Sequence, residues 1–195
     1  MNSIALHKSL DDAMFVFLDV ETTGLSPRTS RVCEVALIAF QGNCRVSHFS
    51  SLVNPGLPIP PETSRIHGIT DEMVKNSPAF PALAPRLIGL LEGSVIVAHN
   101  AEFDLSFMEM EFARAGLRLP KLPVIDTLYI ARRLGTFSNN RLGTIAKELE
   151  ISAENWHRAL SDVEMTRKIF EHFMLVFKKE GAVTVADVLK KTNGA

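Results

Sequence analysis

The sequence contains few cysteines, almost no net charge and no long apolar run. Its 195 residues include two cysteines, and 21 Lys and Arg residues against 22 Asp and Glu residues give a formal net charge of −1. Cys33 and Cys44 lack CxxC spacing and a neighbouring ligand histidine, so we expect reduced, buried thiols; a disulfide stays compatible with the sequence but is not needed. The near-zero charge argues against a protein that coats nucleic acid with a uniformly basic surface, but a local basic groove stays compatible with it.

We expect neither a membrane span nor a secretory signal. No stretch reaches 18 apolar residues, and the N-terminal segment before Asp11 and Asp12 contains no uninterrupted apolar core. We therefore expect no membrane partner and a cytoplasmic location. The length suits one domain with a small appendage.

What is present is an alternation of short apolar runs with turn residues. Runs rich in β-branched and aromatic residues predict strands at residues 14–20, 32–40, 44–53, 95–98 and 124–126. Four prolines predict an extended loop over residues 54–61. Helical spacing and caps predict a helix after Thr70 and further helices at residues 81–92, 102–115, 127–134, 142–149, 161–179 and 184–191. This order of elements predicts an α/β domain with a mixed sheet.

Two carboxylates stand at the end of the first predicted strand. Residues two apart point to the same face of a strand, so Asp19 and Glu21 lie side by side. That pairing is costly unless a cation sits between the two groups, or unless the strand has ended and both are in water. The Thr22-Thr23-Gly24 sequence that follows predicts a turn whose backbone N–H groups can face a phosphate.

Two further acids fall at the starts of predicted helices. Asp104 follows the 95–98 strand, at the kind of strand-to-helix junction where α/β sheets build their sites. Asp162 lies in the first turn of the last long helix, for which Ser161 is the predicted N-cap. If His157 acts together with Asp162, it must lie on the loop before that helix. Taken singly, each acid is also compatible with an ordinary helix cap.

Together the four carboxylates and the imidazole predict a metal-dependent hydrolytic site. Oxygen ligands suit Mg²⁺ or Mn²⁺ rather than zinc. Four negative charges suit two divalent cations, the arrangement used for in-line attack on phosphodiesters. Histidine titrates near neutrality and can accept the proton of an attacking water.

Three segments resemble, in order and spacing, the three motifs of the DEDDh class of DnaQ-like 3′–5′ exonucleases. They are FLDVETTGL at residues 17–25, VAHNAEFDLSF at 97–107 and HRALSDVEMT at 157–166. The segment IHGITDEMV at residues 66–74 also looks like this family. The proofreading epsilon subunit of bacterial DNA polymerase III and the exonuclease domain of the PolC polymerases are the most similar members, over about residues 14–175.

The resemblance implies a ribonuclease H-like fold, with a five-stranded mixed sheet flanked by helices. It implies an N-terminal extension (residues 1–13), an exonuclease domain (14–180) and a short C-terminal helix and tail (181–195). His157 would act as the general base. The residues that would bind two divalent cations, Mg²⁺ or Mn²⁺, are Asp19, Glu21, Asp104 and Asp162. The residues that would surround the 3′-terminal nucleotide are Thr22, Thr23, Gly24, Leu25, His67, Asn100 and Phe103.

The implied activity is the hydrolysis of 3′-terminal nucleotides of DNA to 5′-monophosphates, at single-stranded or mismatched ends, as in proofreading. Two alternatives stay open, namely an RNA 3′–5′ exonuclease of the oligoribonuclease or RNase T kind and a non-catalytic nucleic-acid-binding scaffold of a polymerase. A DNA 3′ end is the expected partner. A DNA polymerase subunit is a further candidate, but epsilon subunits carry a longer extension than residues 181–195, so a free-standing enzyme is equally compatible.

A basic cluster occupies residues 112–147, where Asp126 is the only acid. Its members are Arg114, Arg118, Lys121, Arg132, Arg133, Arg141 and Lys147. Solvated helix faces explain such a cluster, and so does a rim that follows the phosphates of a single strand.

Overall fold

A five-stranded mixed sheet forms the centre of the protein. The structure is a computed structural model that describes residues 3–152 and 157–192. Its strands are β1 (Met14–Thr22), β2 (Val32–Gln41), β3 (Cys44–Leu52), β4 (Val95–Ala98) and β5 (Val124–Asp126). They lie in the order β3-β2-β1-β4-β5, in which the first three strands are antiparallel and β1, β4 and β5 are parallel. The predicted α/β fold with a mixed five-stranded sheet is confirmed.

Helices cover both faces of this sheet. Those that the structure describes are α1 (Ser3–Leu6), α2 (Pro61–His67), α3 (Asp71–Val74), α4 (Phe80–Leu91), α5 (Ala101–Arg114), α6 (Thr127–Leu134), α7 (Leu142–Glu148), α8 (Ala159–Lys179) and α9 (Val185–Thr192). The long helix α8 lies on one face, and α4 and α5 lie on the other.

The alternation of side chains along β1 divides the hydrophobic core in two. Phe15 and Phe17 face α8, where both rings pack against Phe170 at centroid distances of 5.0 and 5.4 Å. Val16, Leu18 and Val20, which alternate with them, face α4 and α5. Burying each large side chain stabilises the folded state by roughly 1.5–3 kcal/mol, so the assignment of β1 side chains to the two faces of the sheet is strongly favoured. Asp19 and Glu21 continue the row of Phe15 and Phe17, and they therefore point toward α8.

The carboxyl ends of β1 and β4 meet at one edge of the sheet because these strands are parallel. Phe17 pairs with Val97, and β4 ends at Ala98, shortly before α5 begins at Ala101. Ligand sites of α/β sheets form in the crevice at this edge. The first turn of α5 is thereby brought next to the acidic end of β1.

The two ends of the described chain pack against each other. The Leu10 N–H donates to the Val183 carbonyl oxygen at 2.9 Å, and the Val185 N–H donates to the Lys8 carbonyl oxygen at 3.2 Å. Residues on both sides of this pairing join the core cluster beneath α8. The division into an extension, a main domain and a tail at residues 13 and 180 stays a prediction.

Two local predictions were wrong, and one short helix was not predicted. The last long helix begins at Ala159, and Ser161 is not its N-cap, because a distant glutamate caps the helix instead (described below). Residues after the proline-rich loop form α2, which starts at Pro61, since proline is favoured in the first helical turn. Strand β1 continues to Thr22, two residues beyond the predicted end.

The prediction of two buried thiols is right for Cys33 and wrong for Cys44. Both cysteines are free, and Cys44 is exposed because it begins β3, the edge strand that turns one face to water. Burial raises the pKa of the Cys33 thiol to about 12, so this thiol stays protonated. Over residues 3–152 and 157–192, no helix is both long enough and apolar enough to cross a membrane.

Candidate active site

Three carboxylates converge at the acidic end of β1. Asp19 and Glu21 extend from β1 toward α8, and Asp162 comes from the first turn of α8. One carboxylate oxygen of each residue lies within 4.8 Å of those of the other two. The predicted cluster of acids from distant parts of the chain is therefore present, with an oxygen-only donor set.

Asp104 reaches the same place from α5, on the opposite side of β1. Its Oδ1 accepts a hydrogen bond from the Val20 backbone N–H at 3.0 Å, and the residue is almost completely buried. Asp104 lies outside the group of three acids whose oxygens are within 4.8 Å of one another, but its charge contributes to raising the pKa of Asp19. All four predicted acids thus lie at one edge of the sheet.

The metal-free site cannot easily hold all of this negative charge. Burial raises the pKa of Asp19 well above its ordinary value, and the charges of Asp104 and Asp162 raise it further. Burial also raises the pKa of Glu21 to about 8, that of Asp104 to about 8 and that of Asp162 to about 6. Divalent cations would remove this repulsion, and an all-carboxylate donor set fits Mg²⁺ or Mn²⁺.

His157 lies on the loop before α8, as predicted. Its side chain is exposed, and its backbone N–H bonds to the Asp162 carboxylate. Its φ angle of 58° falls in the left-handed region, which non-glycine residues occupy uncommonly and often at functional sites. The exposed His157 side chain therefore lies beside Asp162 and lines the same cavity.

Glu34 is a buried acid of this site that the sequence analysis missed. It pairs directly across the strands with Glu21. Its carboxylate accepts hydrogen bonds from the Arg158 guanidinium at 2.6 to 3.2 Å and from the Ala159 backbone N–H at 3.0 Å. Glu34 thus fixes the first turn of α8, which carries Asp162. The signal in the sequence was a single acid inside the apolar run of β2.

The loop after β1 is ordered by its own side chains. The Thr22 hydroxyl donates to the Gly24 carbonyl oxygen at 2.7 Å, and the Thr23 hydroxyl accepts from the Arg31 backbone N–H at 3.0 Å. A Cβ atom on Gly24 would lie 2.6 Å from the Ser30 hydroxyl oxygen, so the Ser30 side chain would have to shift to admit any larger residue there. Leu25 projects from this turn and is 87% exposed. This apolar side chain is therefore available to contact a bound molecule.

A second missed network ties this loop to α5. Glu111 is 1% exposed and binds Arg31 through both carboxylate oxygens, at 2.6 and 2.9 Å. It also accepts from Arg114, whose guanidinium donates to the carbonyl oxygens of Pro27, Arg28 and Ser30 at 2.8 to 3.3 Å. The helix that carries Asp104 therefore also holds the loop that carries Leu25.

The remaining predicted substrate residues, His67, Asn100 and Phe103, differ in burial. His67 is buried, and its Nδ1 accepts from the Ile69 N–H at 3.0 Å. Burial lowers the pKa of His67, whereas a hydrogen bond with the Thr22 backbone opposes that shift, so the ring lies against the loop after β1. Asn100 is exposed before α5 with a φ angle of 68°, and Phe103 is half-buried, 5.0 Å from the Phe107 ring.

The comparisons with known proteins agree with this geometry. The family model described as Exonuclease (RNase_T) matches residues 16–170. The PolC-type DNA polymerase III of Thermotoga maritima is 36% identical over 180 residues, which are 92% of this chain and 13% of that protein. The 3′-5′ exonuclease DinG of Bacillus subtilis is 37% identical over 158 residues, which are 80% of this chain and 17% of that protein. The chain thus spans less than a fifth of the length of these relatives.

Solved structures share the fold. Exonuclease X in complex with 5′ overhanging duplex DNA superposes with a TM-score of 0.67 at 28% identity, covering 83% of this chain and 92% of that one. Exonuclease I of E. coli in complex with a dA16 oligonucleotide gives a TM-score of 0.77 at 20% identity, covering 91% of this chain and 43% of that one. Since the family model covers most of the chain and its acids converge as the motifs require, this protein belongs to the exonuclease family.

Proposed function

We propose that the protein is a metal-dependent 3′–5′ exonuclease that releases nucleoside 5′-monophosphates from single-stranded or mismatched DNA ends. The convergence of Asp19, Glu21 and Asp162 within 4.8 Å, with Asp104 beside them, carries the proposal. These four residues would hold two divalent cations, Mg²⁺ or Mn²⁺. When bound, the cations would supply activation of a water and neutralisation of the charge that grows on the phosphate.

The protein's own groups have distinct parts in this reaction. His157 takes the proton of the attacking water on its exposed imidazole. The water oxygen forms a bond to phosphorus, and the bond from phosphorus to the 3′ oxygen of the penultimate nucleotide breaks. That 3′ oxygen then gains a proton. A preformed site of this kind works by positioning and by electrostatic stabilisation rather than by a covalent intermediate.

The loop after β1 is the proposed binding site for the terminal nucleotide. Thr22, Thr23 and Gly24 line it, and Leu25 contacts the terminal base from its exposed position. His67 supports this loop from below through Thr22. Asn100 and Phe103 approach from the start of α5, on the side of the scissile phosphate.

A 3′-end assay tests the proposal directly. We expect release of 5′-monophosphates from a single-stranded DNA oligonucleotide and from a mismatched duplex end, with Mg²⁺ or Mn²⁺ and not with chelator. Glu21→Gln should abolish release, whereas Glu109→Gln, an exposed glutamate on α5, should leave it unchanged. A faster reaction on matched RNA strands would favour the RNA exonuclease, and no metal-dependent product would favour a non-catalytic scaffold.

The biological setting is a further part of the proposal. The PolC-type relatives are polymerases by name, which supports proofreading beside a DNA polymerase subunit, and the DinG relative is an exonuclease by name. A cytoplasmic enzyme that acts on DNA ends is compatible with both. Preference for a mismatched over a matched primer end supports proofreading, and equal rates on the two ends would argue for a general trimming enzyme.

A further inference from the structure

The basic cluster of residues 112–147 does not form a single surface. Arg132 on α6 and Arg141 and Lys147 on or just before α7 line one cavity of about 930 Å³. Asp162 and His157 line the same cavity. Arg118 and Lys121 line a different cavity, of about 460 Å³, that contains none of the predicted site residues. Charge that is continuous in sequence is therefore divided between the active-site groove and a remote surface.

The three cations of the groove are available to a ligand. Each is exposed, and none forms an ion pair with a carboxylate within the parts of the chain that the structure describes. Arg114, by contrast, already donates hydrogen bonds to Glu111 and to the loop after β1. Unpaired guanidinium and ammonium groups beside a phosphodiester-cleaving site attract further phosphates of the same strand.

The wall of the groove is held in place by a histidine. The Nδ1 atom of His99 lies 2.9 Å from the Thr127 hydroxyl oxygen, and its Nε2 atom lies 3.0 Å from the Asn140 carbonyl oxygen. This links the end of β4 and the start of α6 to the residue before Arg141. The Arg141 side chain therefore projects from a segment whose backbone is already fixed, which reduces the entropy lost when a strand binds.

We propose that Arg132, Arg141 and Lys147 form a binding site for the phosphates of the unpaired strand upstream of its 3′-terminal nucleotide. The inference rests on the proposed function, and it adds the path by which the strand leaves the active site. One phosphodiester joins the last two nucleotides of a strand, and this group binds at the carboxylate cluster. Longer strands place additional phosphates in the groove, so the groove discriminates substrates by length rather than by base.

The test compares oligothymidylates of two lengths. The value of kcat/KM is measured for a thymidine dinucleotide and for a strand of about twelve nucleotides, from about 50 to 200 mM salt. We expect Arg132→Ala, Arg141→Ala and Lys147→Ala each to lower kcat/KM several-fold for the long strand and less than twofold for the dinucleotide. Each should also make the plot of log(kcat/KM) against log salt less steep by about 0.7, the value for one neutralised phosphate of a single strand.

Arg118→Ala and Lys121→Ala are the matched controls, because they remove the same charge from the same segment outside the groove. The inference is wrong if the control variants lower kcat/KM for the long strand as much as the groove variants do. It is also wrong if the groove variants lower kcat/KM equally for the long strand and the dinucleotide. These outcomes require an active wild-type protein. Failure of the proposed function is separate, since the wild type would then release no thymidine 5′-monophosphate from either substrate.

Discussion

Glu34 on β2 and Arg158 on the loop before α8 form a two-pronged ion pair whose closest N–O distance is 2.6 Å. The glutamate is almost fully buried, and the arginine lies between His157 and the first residue of α8. Because the same carboxylate accepts the Ala159 N–H, this pair sets where α8 begins. It therefore sets the position of Asp162 relative to Asp19 and Glu21.

Glu34→Gln should lower both stability and activity. The amide keeps the shape of the side chain but loses the charged pair with Arg158, at a cost of about 1–3 kcal/mol for a buried, charge-assisted interaction. The thermal midpoint should fall by about 2–4 °C for each kcal/mol. Glu164→Gln is the control, since Glu164 lies on α8 in more exposed ion pairs with Arg45 and Arg167. Equal losses of activity in both variants would contradict the special role of Glu34.

The metal-free protein should lose stability as the pH rises. Its pKa values of about 8 for Glu21 and Asp104 and about 6 for Asp162 lie above the ordinary carboxyl values near 4 of an unfolded chain. The folded state thus retains protons that the unfolded state has released. The resulting stabilisation is complete below about pH 4 and is lost as the pH rises through about 8.

Thermal unfolding with chelator and with Mg²⁺ checks this sign. With chelator, we expect the midpoint at pH 8 to lie at least about 3 °C below that at pH 6. With Mg²⁺ the drop should shrink, because the cation replaces the protons as the counter-charge. A chelated protein whose midpoint stays level or rises over this range would show that the acids are not crowded as described.

The parts of the site that depend on local rules were predictable, and the parts that depend on strand register were not. Alternation along β1 places Asp19 beside Glu21, and the end of β4 places Asp104 in the first turn of a helix; both follow from spacing alone. The role of Glu34 depends on its pairing with Glu21 across the sheet. No local pattern in the sequence specifies that register.

Helix starts show the same limit. Ser161 has the residue type of an N-cap, but Glu34, more than a hundred residues earlier in the chain, accepts the Ala159 N–H at the start of α8. A tertiary contact therefore replaced a local one. The tie from Arg114 to the loop after β1 is equally non-local, because it joins the end of α5 to a segment more than eighty residues away.

His157→Asn should slow the chemical step while preserving the fold and the metal site. Asparagine tolerates the left-handed backbone of this position, with its φ angle of 58°, but it lacks a group that can act as a base near neutrality. We expect kcat to fall about 10²- to 10⁴-fold, with little change in the Mg²⁺ concentration required. His172→Asn, an exposed histidine on α8, is the control. Full activity of the His157 variant from about pH 6 to 9 would rule out the general-base assignment.

Arg114→Met should weaken the binding of the terminal nucleotide without weakening the binding of metal. The substitution keeps an apolar chain of similar length but removes the donors to the carbonyl oxygens of Pro27, Arg28 and Ser30, so Leu25 loses its fixed position. We expect a rise in KM larger than the fall in kcat. Combined with Leu25→Ala, the effects should not add, because both changes remove the same contact. Additive losses, or an equal effect from Arg118→Met, would show that the loop is positioned independently.

Gly24→Ala should disturb the same loop through a steric contact, and a second substitution should relieve it. The new methyl group would lie 2.6 Å from the Ser30 hydroxyl oxygen but 3.5 Å from the Ser30 Cβ. The single variant should therefore lose about 10- to 100-fold in kcat/KM, as expected when a substrate contact is displaced by about 1 Å. Gly24→Ala with Ser30→Ala should recover most of that loss, because the clashing atom is gone. Gly89→Ala, in open space on α4, should have no effect. If the double variant is no more active than Gly24→Ala alone, then the glycine is needed for close approach of the nucleotide itself rather than for packing against Ser30.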